Sequence, residues 1–106
     1  MAERFVSRAP PPTPHQREVI TVMIEECAEV QQRATKLLRF GPEEVQPGQL
    51  LNNAFRLGLE IGDLMEMIDL AINAGLVLPK AIETGRKNKR RQLTRFMQTD
   101  QVLGDG

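Results

Sequence analysis

Three features of this 106-residue sequence predict an all-α fold. No segment alternates apolar and polar residues with the period of two that a half-buried strand requires. Two long stretches, 14–40 and 50–74, carry apolar residues at three- and four-residue spacing with no proline after Pro14. Both end at strong stop signals, Gly41-Pro42 and Gly75, where a helix terminates readily.

Residues 1–12 contain Pro10-Pro11-Pro12 and no periodic pattern, which predicts a flexible N-terminal arm. The first helix starts cleanly. Thr13 can cap it, Pro14 suits its first position, and Gln16 stands where a capping box needs a side-chain acceptor. At 1.5 Å per residue the helix over 14–40 would be roughly 40 Å long. Residues 41–49, GPEEVQPGQ, form a turn-rich connection, and a second helix is expected over 50–74. After Leu76-Val77-Leu78, Pro79 can open a third helix reaching 97, and the polar tail 98–106 is expected to be flexible. One helical domain over 13–97 is the resulting organisation.

The second helix is apolar around most of its circumference, from Leu57 and Leu59 through Ile61, Leu64, Met65, Met67 and Ile68 to Ile72. Such a helix must be covered on several sides, and three helices of one short chain supply little cover. A bundle completed by a second copy, as a homodimer or a tetramer, is therefore predicted. Gly58 and Gly62, four apart, would let another helix approach closely; alternatively they are tolerated at some cost to helix stability.

Composition narrows the function classes. Fourteen Lys and Arg balance fourteen Asp and Glu, so the total charge gives no reason to expect a nucleic-acid or membrane partner. The four Phe, with no Trp or Tyr, offer little for stacking single-stranded bases. A single cysteine, Cys27, permits no intrachain disulfide and is expected in the core. No signal-peptide core or membrane-length apolar run is present, and a cytoplasmic location is expected. His15, in the first turn, is expected to be exposed.

The acidic residues depart from an ordinary amphipathic pattern. At about 100° per residue, Val19, Ile20, Met23, Cys27, Val30, Ala34, Leu37 and Leu38 form the apolar arc of the first helix. Glu26 falls inside that arc and Glu29 at its edge, with Glu25 further out. On the second helix Glu60 lies between Met67 and Ala71, and Asp63 between Leu70 and Ala74, whereas Glu66 and Asp69 share the narrow polar face. Each inward pair is spaced i, i+3, so its members are neighbours on the helix surface. Buried carboxylates are normally paired or bound to metal. Two readings follow: ion pairing, with Arg33 and Arg56 on the same faces, or a hard cation such as Mg²⁺ or Mn²⁺ held by oxygen ligands. One His and one Cys make no zinc ligand set, and no Ser or Cys is placed beside a base for nucleophilic catalysis.

The stretch Glu25-Glu26-Cys27-Ala28-Glu29, followed about thirty residues later by Glu60-Ile61-Gly62-Asp63, resembles the EExxE…ExxD signature of the MazG-like all-α nucleoside triphosphate pyrophosphatases. The similarity spans roughly residues 16–97. It implies a helical bundle that dimerises or tetramerises and hydrolyses a nucleoside triphosphate between its α and β phosphates, releasing pyrophosphate. It implies Mg²⁺ ligands at Glu26, Glu29, Glu60 and Asp63, with Mn²⁺ a substitute, and Glu29 or Glu25 as general base. It further implies phosphate-holding cations, Lys89 first, then Arg86, with Lys36 on the first helix. Family members often carry Lys-x-x-x-Asn in the third helix, where this chain has Gly85 and Lys89. The basic run 86–95 can equally be a solvated, dipole-favoured helix end. A catalytically silent helical interaction or regulatory module is the competing function. A nucleic-acid binder using 86–95 is a third possibility, disfavoured by the neutral total.

Overall fold

The structure, a computed structural model, describes residues 9–97. The expectations for residues 1–8 and for the tail 98–106 lie outside the described residues. Three helices make up the fold: α1 over Pro14–Phe40, α2 over Asn53–Asn73 and α3 over Pro79–Phe96. Among the described residues there is no strand, and no helix is long and apolar enough to cross a membrane.

The start of α1 follows the capping box. The Thr13 side chain accepts from Gln16 N at 3.1 Å, and Gln16 Oε1 accepts from Thr13 N at 2.9 Å. The other end of the same Gln16 amide donates from Nε2 to Ala74 O at 2.8 Å. One side chain therefore closes the first turn of α1 and fastens it to the last residues of α2. Gly41 ends α1 with φ 92, a value that L side chains rarely adopt, and its N–H donates to Leu37 O at 2.8 Å.

The second helix begins at 53 and not at 50. Asn52 caps it by accepting from Phe55 N at 2.8 Å, a stronger local signal than the two leucines before it. Leu50 and Leu51 stay in the loop, both exposed. Asn53, only 2% exposed, fastens this end of the hairpin. Its Nδ2 donates to Gly41 O at 2.9 Å and to Glu44 Oε1 at 3.0 Å, and its backbone N donates to Glu44 O at 2.9 Å. Gln46 Nε2 also donates to Glu44 Oε1. The antiparallel α1–α2 pair is thus held at both ends by polar anchors, and its packing is the main tertiary contact of the molecule.

Little else is covered. Val19 and Ala71 are the only buried apolar residues described, although the sequence is 41% hydrophobic. Leu38, Ile24, Met65, Phe55 and Leu59 are all more than half exposed. The radius of gyration is 18.3 Å, against about 13 Å for a compact domain of 100 residues. The third helix makes only marginal contact with the other two.

The placement of Cys27 in the core is corrected: it is exposed. Within one chain α2 packs against the arc centred on Val19, Val30 and Leu37, and Cys27 lies about 80° around the helix from Val19. Ala34 and Leu38, expected in the same arc, are exposed on the same flank. Among the described residues, and apart from the adjoining turns of α2 itself, nothing comes within 4 Å of where a Cβ on Gly58 or Gly62 would lie, so neither glycine serves a close approach between the described helices.

Candidate metal centre

The two polar anchors set the register that brings the acidic positions of α1 and α2 together. Glu26 occupies the stripe of α1 that faces α2, and Glu60 and Asp63 lie one turn apart on α2. One carboxylate oxygen from each of Glu26, Glu60 and Asp63 lies within 4.8 Å of the other two. Glu26 and Glu60 are half-buried, and Asp63 is exposed at the rim. Among the described residues this is the only group of three or more Asp, Glu, His or Cys so arranged.

The electrostatics of the cluster are unbalanced. Glu26 Oε2 and Glu60 Oε2 are screened from solvent and make no hydrogen bond, which is costly for a polar atom and more so for a charged one. Burial, followed by the charges of Asp63, Glu29 and Glu25, raises Glu26 above the ordinary carboxylate value. Burial also raises Glu60, reinforced by the charge and hydrogen bonding of Glu29 and then by Asp63 and Glu26. Glu29 therefore neighbours Glu60 without belonging to the tight triad.

Among the described residues no cation pairs with these acids. The only ion pair among the described residues joins Lys87 to Glu83 at 3.6 Å on the exposed surface of α3. Arg33 and Arg56, though half-buried near the acidic faces, reach none of the four carboxylates within 4.0 Å. Among the described residues, therefore, the inward acids are not ion-paired.

The donor set fits a hard divalent ion. Every candidate ligand atom is a carboxylate oxygen, two of the three carboxylates carry an unpartnered buried oxygen, and the three side chains come from two helices. Oxygens sharing one Mg²⁺ at about 2.1 Å lie no more than about 4.2 Å apart. A set spread over at most 4.8 Å needs only small side-chain rotations to close.

The remaining candidates stand around this triad. Glu25 and Glu29, with Gln32 and Lys36, line an open depression on the outer flank of α1. One helix alone supplies its walls, so it is an exposed surface beside the acids and not an enclosed cleft. Lys36 is half-buried there. Arg86 and Lys89 are exposed on α3 and pair with none of the acids. His15 is exposed, as expected. The residue that inward-acid reasoning missed is Asn53, which positions the site without belonging to it; the Asn52-Asn53 pair at the helix start was its sequence signal.

Compared with known proteins, the chain matches no family model, no curated protein and no solved structure.

Proposed function

We propose that this chain is a Mg²⁺-dependent nucleoside triphosphate pyrophosphohydrolase, with Mn²⁺ as a substitute ion. The observation that carries the reading is the pair of solvent-screened carboxylate oxygens, on Glu26 and Glu60, left without a donor or a cation. The similarity of Glu25–Glu29 and Glu60–Asp63 to the MazG-like signature supplies the substrate class.

In this reading Glu26, Glu60 and Asp63 hold the metal, and Glu29 joins them by a side-chain rotation towards Glu60. Held there, the ion would offset the charge of the acids beside a triphosphate and the charge that develops on phosphoryl transfer. A water oxygen forms the new bond to the α phosphorus, and the bond from that phosphorus to the bridging oxygen breaks. Pyrophosphate leaves, the monophosphate remains, and the water's proton passes to a carboxylate, Glu29 or Glu25. Both stand on the open flank of α1 with Lys36, where a phosphate could lie beside the metal. Lys89 and Arg86 would hold the outer phosphates once α3 closes over the hairpin.

The same reading includes a second copy. The flank of α1 at Ile24, Cys27, Ala34 and Leu38, and that of α2 at Ile61 and Met65 beside Gly58, are apolar surfaces that no described residue covers. Homodimerisation through them, or tetramerisation, buries what water now contacts. The exposed apolar surface is equally the observation that favours the second reading, a catalytically silent helical interaction module.

The two are separated by pyrophosphate release across all eight common NTPs and dNTPs with Mg²⁺ or Mn²⁺. Turnover of at least one, reduced 100-fold or more by Glu60→Gln, is expected. Absence of turnover across the panel, together with no heat on titrating Mg²⁺ into the protein, rejects the enzyme in favour of the module.

A further inference from the structure

The neutral net charge of the chain conceals a separation of its charges. Helix α3 carries Lys80, Arg86, Lys87, Lys89, Arg90, Arg91 and Arg95 against a single acid, Glu83. On the helical wheel these cations divide into two sets. Arg86 and Lys89 fall in one stripe with Ile82, Leu93 and Phe96. Ile82 and Leu93 are the only residues of α3 that are even half-buried, so this stripe is the inner face. Lys80, Lys87, Arg91 and Arg95 line the opposite face, with Arg90 at its edge, and all five are exposed.

We infer that this outer face of α3 binds the phosphate backbone of duplex nucleic acid. The stripe from Lys80 to Arg95 extends about 22 Å along the helix, with Lys87, Arg91 and Arg95 at intervals of about 6 Å. It is straight, lies on a helix that barely touches the rest of the molecule, and has one partner in Glu83, an exposed pair that contributes little. A duplex presents one negative charge per ~1.7 Å of axis, enough to engage every cation of such a stripe at once. Three of the five cations are arginines, whose planar forks suit phosphate oxygens. A second copy is a poorer match: its exposed acids on α1, Glu18, Glu25 and Glu29, span about 16 Å but set three charges against five cations, and Glu66 and Asp69 on α2 span only one helical turn. No aromatic residue lies on the outer face, so the surface senses charge and shape and does not stack bases. This inference is independent of the acidic centre on α1 and α2.

Neutralising four phosphates predicts a salt slope of about −3.6 in log K against log [salt], hence roughly a 150-fold loss of affinity between 50 and 200 mM KCl. The test is fluorescence anisotropy of a labelled 24-base-pair DNA duplex of mixed sequence, titrated with the full chain across that range. The triple variant Lys87→Glu/Arg91→Glu/Arg95→Glu should bind at least 30-fold more weakly with a slope near zero, while keeping wild-type helicity by circular dichroism and wild-type pyrophosphate release. Arg86→Gln/Lys89→Gln, on the inner face, should retain duplex affinity within about five-fold and keep the slope. No anisotropy change with 50 μM wild-type protein at 50 mM KCl overturns the inference. Equal losses in the two variants, or tighter binding of a single strand of the same length, overturn it as well.

Discussion

Replacing Asn53 with alanine tests whether polar anchors, and not a hydrophobic core, fix how α1 and α2 meet. The side chain is 2% exposed and its Nδ2 serves two acceptors, Gly41 O at 2.9 Å and Glu44 Oε1 at 3.0 Å. Truncation removes a neutral hydrogen bond worth about 1 kcal/mol and a charge-assisted one worth about 1.5 kcal/mol or slightly more, given that Glu44 is partly exposed. A loss of about 2–3 kcal/mol follows, which for a domain of this size lowers Tm by about 8–24 °C. Asn53→Asp separates hydrogen bonding from volume. It keeps the shape, removes both donors and sets a carboxylate against Glu44, so at pH 7 it should be at least as damaging as alanine and should recover on acidification. Thermal unfolding by circular dichroism at fixed protein concentration reads both variants. Because Asn53 sets the entry of the helix that carries Glu60 and Asp63, Mg²⁺ affinity by calorimetry should fall as well. A Tm within 2 °C of wild type for Asn53→Ala would refute the claim that this anchor determines the hairpin.

Four further outcomes are expected. Since Glu26 and Glu60 titrate above the ordinary carboxylate value of 4.5, the metal-free folded chain binds more protons than the unfolded chain just above that pH. Their contribution to stability is therefore present below 4.5 and lost as pH rises through their elevated values. Scanning fluorimetry in EDTA should show Glu60→Gln more stable than wild type at pH 7.5, with the difference shrinking towards pH 5; a variant less stable at pH 7.5 contradicts the repulsion. At pH 7.5, Mg²⁺ at 100 times its Kd should add about 2.7 kcal/mol to wild type and nothing to Glu26→Gln, and an equal shift in both would remove the metal from these residues. Gln16→Ala, which loses both the cap bond and the bond to Ala74 O, should cost about 1–2 kcal/mol, read as a drop in the urea midpoint. Met65→Asp, on the exposed flank of α2 beside Ile61, should convert a dimer to monomer in sedimentation velocity, and an unchanged sedimentation coefficient removes that flank from the assembly.

The helices were legible in the sequence because their ends are written in local chemistry. Thr13-Pro14 with Gln16 and Gly41-Pro42 bound α1 as expected, and Pro79 opens α3. The start of α2 was misplaced by three residues because an apolar pair, Leu50-Leu51, mimics a helical turn and outweighed Asn52, a residue type that favours the cap it forms. The acids were legible for a different reason. A carboxylate at an apolar wheel position is a conflict between local chemistry and burial, and such conflicts mark sites. Glu26, Glu60 and Asp63 converge as that conflict implies. Glu29, exposed at the edge of the arc, stands beside Glu60 and outside the triad.

Cys27 marks where wheel reasoning runs out, and the failure is informative. A helical wheel reports which residues avoid water, but not whether the covering surface belongs to the same chain. Cys27, Ala34 and Leu38 read as core and are exposed in one chain, whereas Val19 and Leu37, on the same arc, meet α2. The arc is wider than one antiparallel neighbour can cover. The same holds on α2, where Ile61 and Met65 flank glycines that nothing approaches. In the proposed assembly the surplus apolar width on both helices and the acids facing into their seam would serve one site. The hairpin brings Glu26, Glu60 and Asp63 together, and a second helical pair would exclude water from them.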